Sequence, residues 1–233
     1  MKKKTFTEEM FDKTFASKEN IKYSFDLKKL GKRDQKIVKT LNSFGIDGKR
    51  CLDIGPGTGR WLQFLKKNKA AYIAAVDISH IALKNIENVC DFSEKVDVEV
   101  EDLPFEENSF DIIISFMVLE HIRNPSNYIA EMIRVAKNGA IILLTIPNIV
   151  SFVSRVRVLS GIMPLAVTGD STHVRFYTKK ELIKLFDSYN IKPELIPTSI
   201  SLNPLNSNKL KIPSNNITKS LDDHLLIKLI VKK

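Results

Sequence analysis

Residues 51–61 read CLDIGPGTGRW and place an acid, Asp53, just before three glycines on alternate positions, Gly55, Gly57 and Gly59. Glycine permits positive φ and lets a ligand approach the backbone. The helix expected from Arg60 offers unpaired N–H groups and a positive dipole end to an anionic or polar ligand. A second acid, Asp77, ends the apolar run AAYIAAV. At the end of the next strand a carboxylate can accept hydrogen bonds from two ribose hydroxyls. The pattern points to a cofactor containing a nucleoside. The dinucleotide fingerprint G-x-G-x-x-G needs its third glycine at position 60, where Arg60 stands instead; a side chain there impedes close helix–strand packing. The phosphate-binding G-x-x-x-x-G-K-[ST] is absent. Two histidines are candidates for proton transfer, His121 in LEHI and His173 in STHVRFY. Arg175 and Tyr177 follow His173, and an arginine there can grip a carboxylate or phosphate bidentately. Glu120 reads as a carboxylate at a helix entry, and Trp61 as core.

Other chemistries find no support. There is no zinc-type cluster, no Ser/His/Asp order and no CxxC, so no metal site is expected; Cys51 and Cys90 sit in apolar patterns as buried hydrophobes. No apolar run approaches the ~20 residues that span a bilayer. The N-terminus starts basic but turns polar, without the apolar core of a signal peptide, which places the chain in the cytoplasm. The net charge of +9 fits an anionic partner such as nucleic acid, a nucleotide-linked sugar or an anionic lipid surface. The basic residues are dispersed, with no aromatic-basic interleaving of the single-strand binders.

The elements that position these residues alternate from residue 34 onward. DQKIVKTLNSFG is a helix with Ile37, Val38, Leu41 and Phe44 on one face. CLDI and AAYIAAV are buried strands, RWLQFLKK is a helix, and Ser79 caps another carrying Ala82, Ile86, Val89 and Cys90. VDVEV alternates with period two and reads as a half-exposed edge strand. FDIIISF and AIILLTI are continuous apolar runs, as in central parallel strands. PSNYIAEMIRVAKNG between them is a helix with Ala136 still facing inward and Gly139 as its stop. Thr178 and Glu181 form a capping box for TKKELIKLFDSYN. KPELIPTSI and HLLIKLIV are strand-like, with a loop at NPLNSNKLKIPSNN. The fold class is α/β, a doubly wound, Rossmann-like sheet with helices on both faces. Residues 34–233 form the domain, with an insertion at about 149–177 covering the site, and residues 1–33 are an N-terminal extension for which a lid, a dimer arm and a loose tail all stay open. The aromatics Phe6, Phe11, Phe15, Tyr23 and Phe25 predict that the extension packs onto the domain.

LDIGPGTGRW followed by AVDIS resembles the first two motifs of class I S-adenosylmethionine-dependent methyltransferases. EDLPFEENSFDIIISFMVLEHIRNP, LLTIPN and THVRFYTKKELIKLF resemble later stretches of one branch, from about Arg50 to Ile191. The resemblance implies a seven-stranded sheet, parallel but for an antiparallel last strand. It implies S-adenosylmethionine as cofactor and S-adenosylhomocysteine as product. Asp53 and the Gly55–Gly59 loop would hold the methionine end, Phe116 would line that pocket, Asp77 would take the ribose and Ile78 would pack on adenine. The acid that meets the adenine amino group departs from the common pattern: Glu99 stands at the usual aspartate position, and Asp102 competes, with the Leu103 N–H beside it. The implied reaction is methyl transfer, most simply to oxygen of a small-molecule, nucleotide-sugar or lipid-linked glycan acceptor. His121 and His173 would be the base candidates, and Arg175 and Tyr177 the substrate contacts. An RNA methyltransferase is the alternative that the positive charge motivates, and a non-catalytic cofactor-binding partner subunit is another. A dinucleotide oxidoreductase is disfavoured by Arg60.

Overall fold

The computed structural model describes residues 6–16, 25–26, 30–196, 198 and 223–233. One seven-stranded sheet organises them. Its strands are β1 (Arg50–Ile54), β2 (Tyr72–Asp77), β3 (Phe92–Lys95), β4 (Phe110–Phe116), β5 (Ala136–Pro147), β6 (Glu194–Ile196) and β7 (His224–Ile230), in the spatial order 3-2-1-4-5-7-6. β7 runs antiparallel to both of its neighbours, and the other neighbouring strands pair in parallel. The order reverses between β1 and β4, and a doubly wound sheet opens its ligand crevice at such a reversal.

Eight helices accompany the sheet among the described residues: α1 (Phe6–Ala16), α2 (Lys32–Phe44), α3 (Arg60–Lys67), α4 (His80–Ile86), α5 (Pro125–Val135), α6 (Phe152–Leu159), α7 (Leu165–Thr168) and α8 (Lys179–Asp187). A 3-10 turn, Leu119–His121, follows β4. Each face of the sheet has its own core. Leu41, Leu62, Leu65 and Ile86 cover one, and Tyr128, Met132, Leu182 and Phe186 cover the other. Both faces of β4 and β5 are buried, which is why these strands are continuously apolar. The Thr178–Glu181 capping box forms as predicted.

Two local expectations are corrected. VDVEV is no edge strand. β3 lies just before it, and residues 97–101 close a turn in which Asp97 O accepts from Val100 N (3.0 Å) and Glu101 N (2.8 Å). The helix expected to run to Gly139 stops at Val135, because Ala136 already pairs with Phe110 in the sheet. Gly139 has φ 81° inside β5, and its N–H donates to Val231 O. The loop expected at NPLNSNKLKIPSNN lies outside the described residues.

The N-terminal aromatics that are described do pack. The Phe25 ring lies 4.7 Å from Phe64 and 5.6 Å from Trp61. α1 lies beside α4, fastened at two points. Asp12 Oδ1 accepts from Ser79 Oγ at 2.6 Å, and Glu8 pairs with Lys95 at 2.8 Å. Tyr23 and the Phe6 side chain lie outside the described residues.

Candidate active site

The glycines make the β1–α3 turn sterically feasible. Gly55, Gly57 and Gly59 have φ of 74°, 53° and 72°, a region that side chains disfavour. A Cβ at Gly55 would sit 2.5 Å from Val118 Cγ2, and one at Gly59 would sit 2.5 Å from Ile86 Cγ2. Gly57 faces α1, where the Phe15 ring would stand 3.2 Å from an added Cβ. Arg60, the first residue of α3, turns outward to bond Asp34 on α2 at 2.7 Å.

Asp77 is held for hydrogen bonding. Its Oδ1 accepts from Ser79 N (2.9 Å) and its Oδ2 from Gly57 N (3.4 Å). Burial pushes its carboxyl up to about 6. Asp53 is buried with Oδ2 unpartnered among the described residues, and burial together with the Asp77 charge raises it well above the carboxylate range.

Gly55 and Asp77 border a cleft of about 660 Å³, solvent mouth included; Asp53, Gly57 and Gly59 lie behind its lining. Gly55, Asp77, Ile78, Glu99 and His121 all line it, and Thr7, Phe11 and Phe15 of α1 contribute another wall. The competing acids separate here. Glu99 lines the cleft together with Asp97 and Val98, whereas Asp102 is exposed and does not. The Leu103 N–H donates to Glu131 Oε2 at 2.7 Å, so it is already engaged. Phe116 packs its ring on Trp61, at 5.1 Å, instead of lining the cleft.

The 3-10 turn and the segment before α8 build the other half. His121 Nδ1 lies 3.1 Å from the Thr172 carbonyl and 2.7 Å from Thr172 Oγ1. A carbonyl only accepts, so Nδ1 carries the proton. Thr172 Oγ1 is free to accept it too, because its own hydrogen goes to Asp170 Oδ1 at 2.6 Å. Nε2 of His121 is therefore the lone-pair nitrogen. Burial lowers the ring's pKa and keeps it neutral near pH 7. The Phe11 ring meets His121 edge-on at 5.1 Å.

His173 is oriented in the same way. Its Nδ1 donates to Ala166 O at 2.7 Å, leaving Nε2 toward Glu120 Oε1 (4.0 Å) and Asp170 Oδ2 (3.9 Å). It stacks at a tilt on His121, with centroids 4.9 Å apart, but does not line the cleft. Arg175 is exposed and Tyr177 is buried, its hydroxyl unpartnered among the described residues.

Glu120 is the residue that sequence reasoning undervalued. Its side chain is 2% exposed, neither oxygen has a hydrogen-bond partner among the described residues, and burial pushes its carboxyl up to about 8. Glu120, His121 and His173 bring ligand-capable atoms within 4.8 Å of one another, a grouping that no spacing in the chain announces. The α1 wall was also missed as a lining. The aromatic repeat Phe11, Phe15 was its signal, at helical spacing.

Known proteins resemble this chain in sequence and in fold. The methyltransferase domain family matches residues 29–194. The ubiquinone biosynthesis O-methyltransferase of Dechloromonas aromatica is 27% identical over 170 residues, covering 70% of this chain and 72% of that protein. The norajmaline N-methyltransferase of Rauvolfia serpentina is 30% identical over 102 residues, 41% of this chain and 35% of that one. Among solved structures, an S-adenosylmethionine-dependent methyltransferase of Thermotoga maritima superposes with a TM-score of 0.68 at 19% identity, over 96% of this chain and 99% of that one. The Haloferax volcanii methyltransferase solved in complex with the Trm112 activator gives 0.67 at 15% identity, over 97% and 98%.

Proposed function

The chain belongs to the methyltransferase domain family of class I S-adenosylmethionine-dependent enzymes, and from that premise we propose that it methylates a hydroxyl of a small-molecule or glycan-linked acceptor. The observation that carries the choice of oxygen is His121, a cleft residue whose ring is kept neutral by burial and whose Nδ1 is engaged by Thr172, leaving Nε2 to accept a proton. A hydroxyl must lose a proton as it is methylated, and a neutral imidazole is suited to take it.

The residues fit the cofactor. The Cβ-free turn at Gly55–Gly59 and the orphaned Asp53 Oδ2 suit the polar methionine end. Asp77 suits the ribose hydroxyls, Ile78 the adenine face and Glu99 its amino group. When bound, S-adenosylmethionine supplies an electrophilic methyl on sulfur. This chain's own residues orient the acceptor and hold its proton. His121 accepts the proton at Nε2, and the Thr172 carbonyl stabilises the resulting imidazolium through Nδ1–H. Orientation can contribute ~7–11 kcal/mol of the barrier, and the base roughly 10²–10⁴-fold. His173 acts behind His121; Arg175 and Tyr177 lie off the cleft lining, and Tyr177 packs in the core. α1 serves as a lid, with Phe11 on the base and Phe15 on the glycine turn. Among the described residues no helix is long and apolar enough to cross a membrane; we place the protein in the cytoplasm.

The test is calorimetric titration with S-adenosylhomocysteine, followed by an acceptor screen in which His121→Asn is the control. Cofactor binding with acceptor turnover lost only in the variant supports the reading; full turnover by His121→Asn refutes His121 as base. The +9 charge supports a second reading, an RNA acceptor. It requires binding to bulk tRNA that falls steeply with salt.

A further inference from the structure

Nine large hydrophobic side chains stand exposed among the described residues, and seven of them fall between Val158 and Phe176. Leu159 is 88% exposed, and Ile162, Met163 and Leu165 are each at least half exposed. The other two, Val100 and Ile230, are isolated in sequence. Single exposed hydrophobes are ordinary, but a concentration like this marks an interface. The same stretch is basic. Between residues 149 and 180 the chain carries Arg155, Arg157, Arg175, Lys179 and Lys180 against one acid, Asp170. That acid is already engaged by the Thr172 hydroxyl and N–H.

Apolar side chains among basic ones that form no ion pair among the described residues complement an anionic lipid surface, where the former enter the acyl boundary and the latter meet headgroups. A second copy of the chain fits less well, since a two-fold contact would set this positive surface against itself. We propose that the α6–α7 face seats on an anionic membrane and that the acceptor is a membrane-resident amphiphile whose polar head reaches His121 from it.

The bonding of this segment joins the face to the site. Thr172 holds the His121 proton through both its oxygens. The N–H groups of Val174 and Arg175 donate to Glu120 O at 2.9 and 3.0 Å, and His173 is anchored to Ala166 of α7. The segment that presents the apolar side chains is thus the one that orients the base. The choice of acceptor rests on the methyl-transfer reading above; the docking does not.

The experiment is co-sedimentation with phosphatidylcholine vesicles, with and without about a third phosphatidylglycerol. Wild type is expected on the anionic vesicles and released by high salt. Leu159→Glu/Met163→Glu is expected to lose at least tenfold in partitioning, and Arg155→Glu/Arg157→Glu a similar amount at low salt, at roughly fivefold or less per charge removed. Leu159 and Met163 are exposed, so that variant should keep the wild-type melting temperature, and both variants the wild-type S-adenosylhomocysteine affinity. Absence of wild-type binding overturns the docking, as does an unaffected Leu159→Glu/Met163→Glu. So does a dimer that this variant abolishes in sedimentation velocity without lipid, for then a second copy covers the face. Turnover of a soluble acceptor without vesicle binding leaves methyl transfer standing and removes the docking. Vesicle binding by a protein that binds no cofactor does the reverse.

Discussion

The two halves of the cleft are built by different means. The half we assign to the cofactor, at the ends of β1 and β2, is backbone geometry: three glycines with positive φ, and a carboxylate held by two N–H groups. Its parts lie within one βα turn and the strand after it. The half we assign to the acceptor is assembled from side chains distant in sequence: His121 after β4, Thr172 and His173 some fifty residues later, and Phe11 from the N-terminal helix. Its buried groups are incompletely paired, Glu120 above all. A half made of backbone suits a ligand that does not change, whereas a half made of side chains can be re-specified one substitution at a time.

Five measurements would break or sharpen that contrast. The largest expected effect is in the acceptor half. His121→Asn should lower kcat by about 10²–10⁴-fold while S-adenosylhomocysteine affinity, read by calorimetry, stays within a factor of two or three. In wild type, the fall of kcat toward acid should lie below pH ~6.5, because burial depresses the His121 pKa. The cofactor half should respond the opposite way. If Asp77 takes the ribose as proposed, Asp77→Ala should weaken S-adenosylhomocysteine by about 10²–10⁴-fold, two hydrogen bonds being lost at about 1.5–3 kcal/mol each. An Asp77→Ala protein that binds normally would sink the division of labour.

Next comes the glycine turn. Gly59→Ala forces a Cβ to 2.5 Å from Ile86 at φ 72° and should cost about 1–3 kcal/mol, seen as a lower thermal midpoint. The smallest effect is a gain. Glu120 has a folded pKa near 8 against an ordinary 4.5, so the folded state binds its proton more tightly than the unfolded state. Its contribution to stability is fullest below about pH 4.5 and is lost as pH rises toward 8. Glu120→Gln should therefore melt like wild type at pH 4.5 and a few degrees higher at pH 8.5. Equal midpoints at both pH values would show that the carboxyl is paired after all.

Legibility in the sequence followed the same divide. The glycine turn, Asp77 and the Thr178 capping box could be read because each is a local pattern with one backbone solution. VDVEV misled because alternation records which way side chains would point in a strand, not whether a neighbour pairs with it. Asp97 instead ties its own N–H to Glu101 Oε2 at 2.8 Å and closes a turn. The end of α5 misled because Ala136 suits a helix, yet pairing with Phe110 decides its state. Glu120 looked like an ordinary helix-entry carboxylate because its burial comes from segments fifty residues away. Choosing between Glu99 and Asp102 needed the course of the chain after β3.

The bond between Thr172 and His121 also makes the imidazole a reporter. The two ring nitrogens differ only because one faces a carbonyl on the 170–174 segment. Whatever loosens that segment lets the ring exchange tautomers, and nitrogen-15 resonances register such exchange directly. A single labelled histidine would thus signal, from inside the cleft, whether the far side of its supporting strut is occupied.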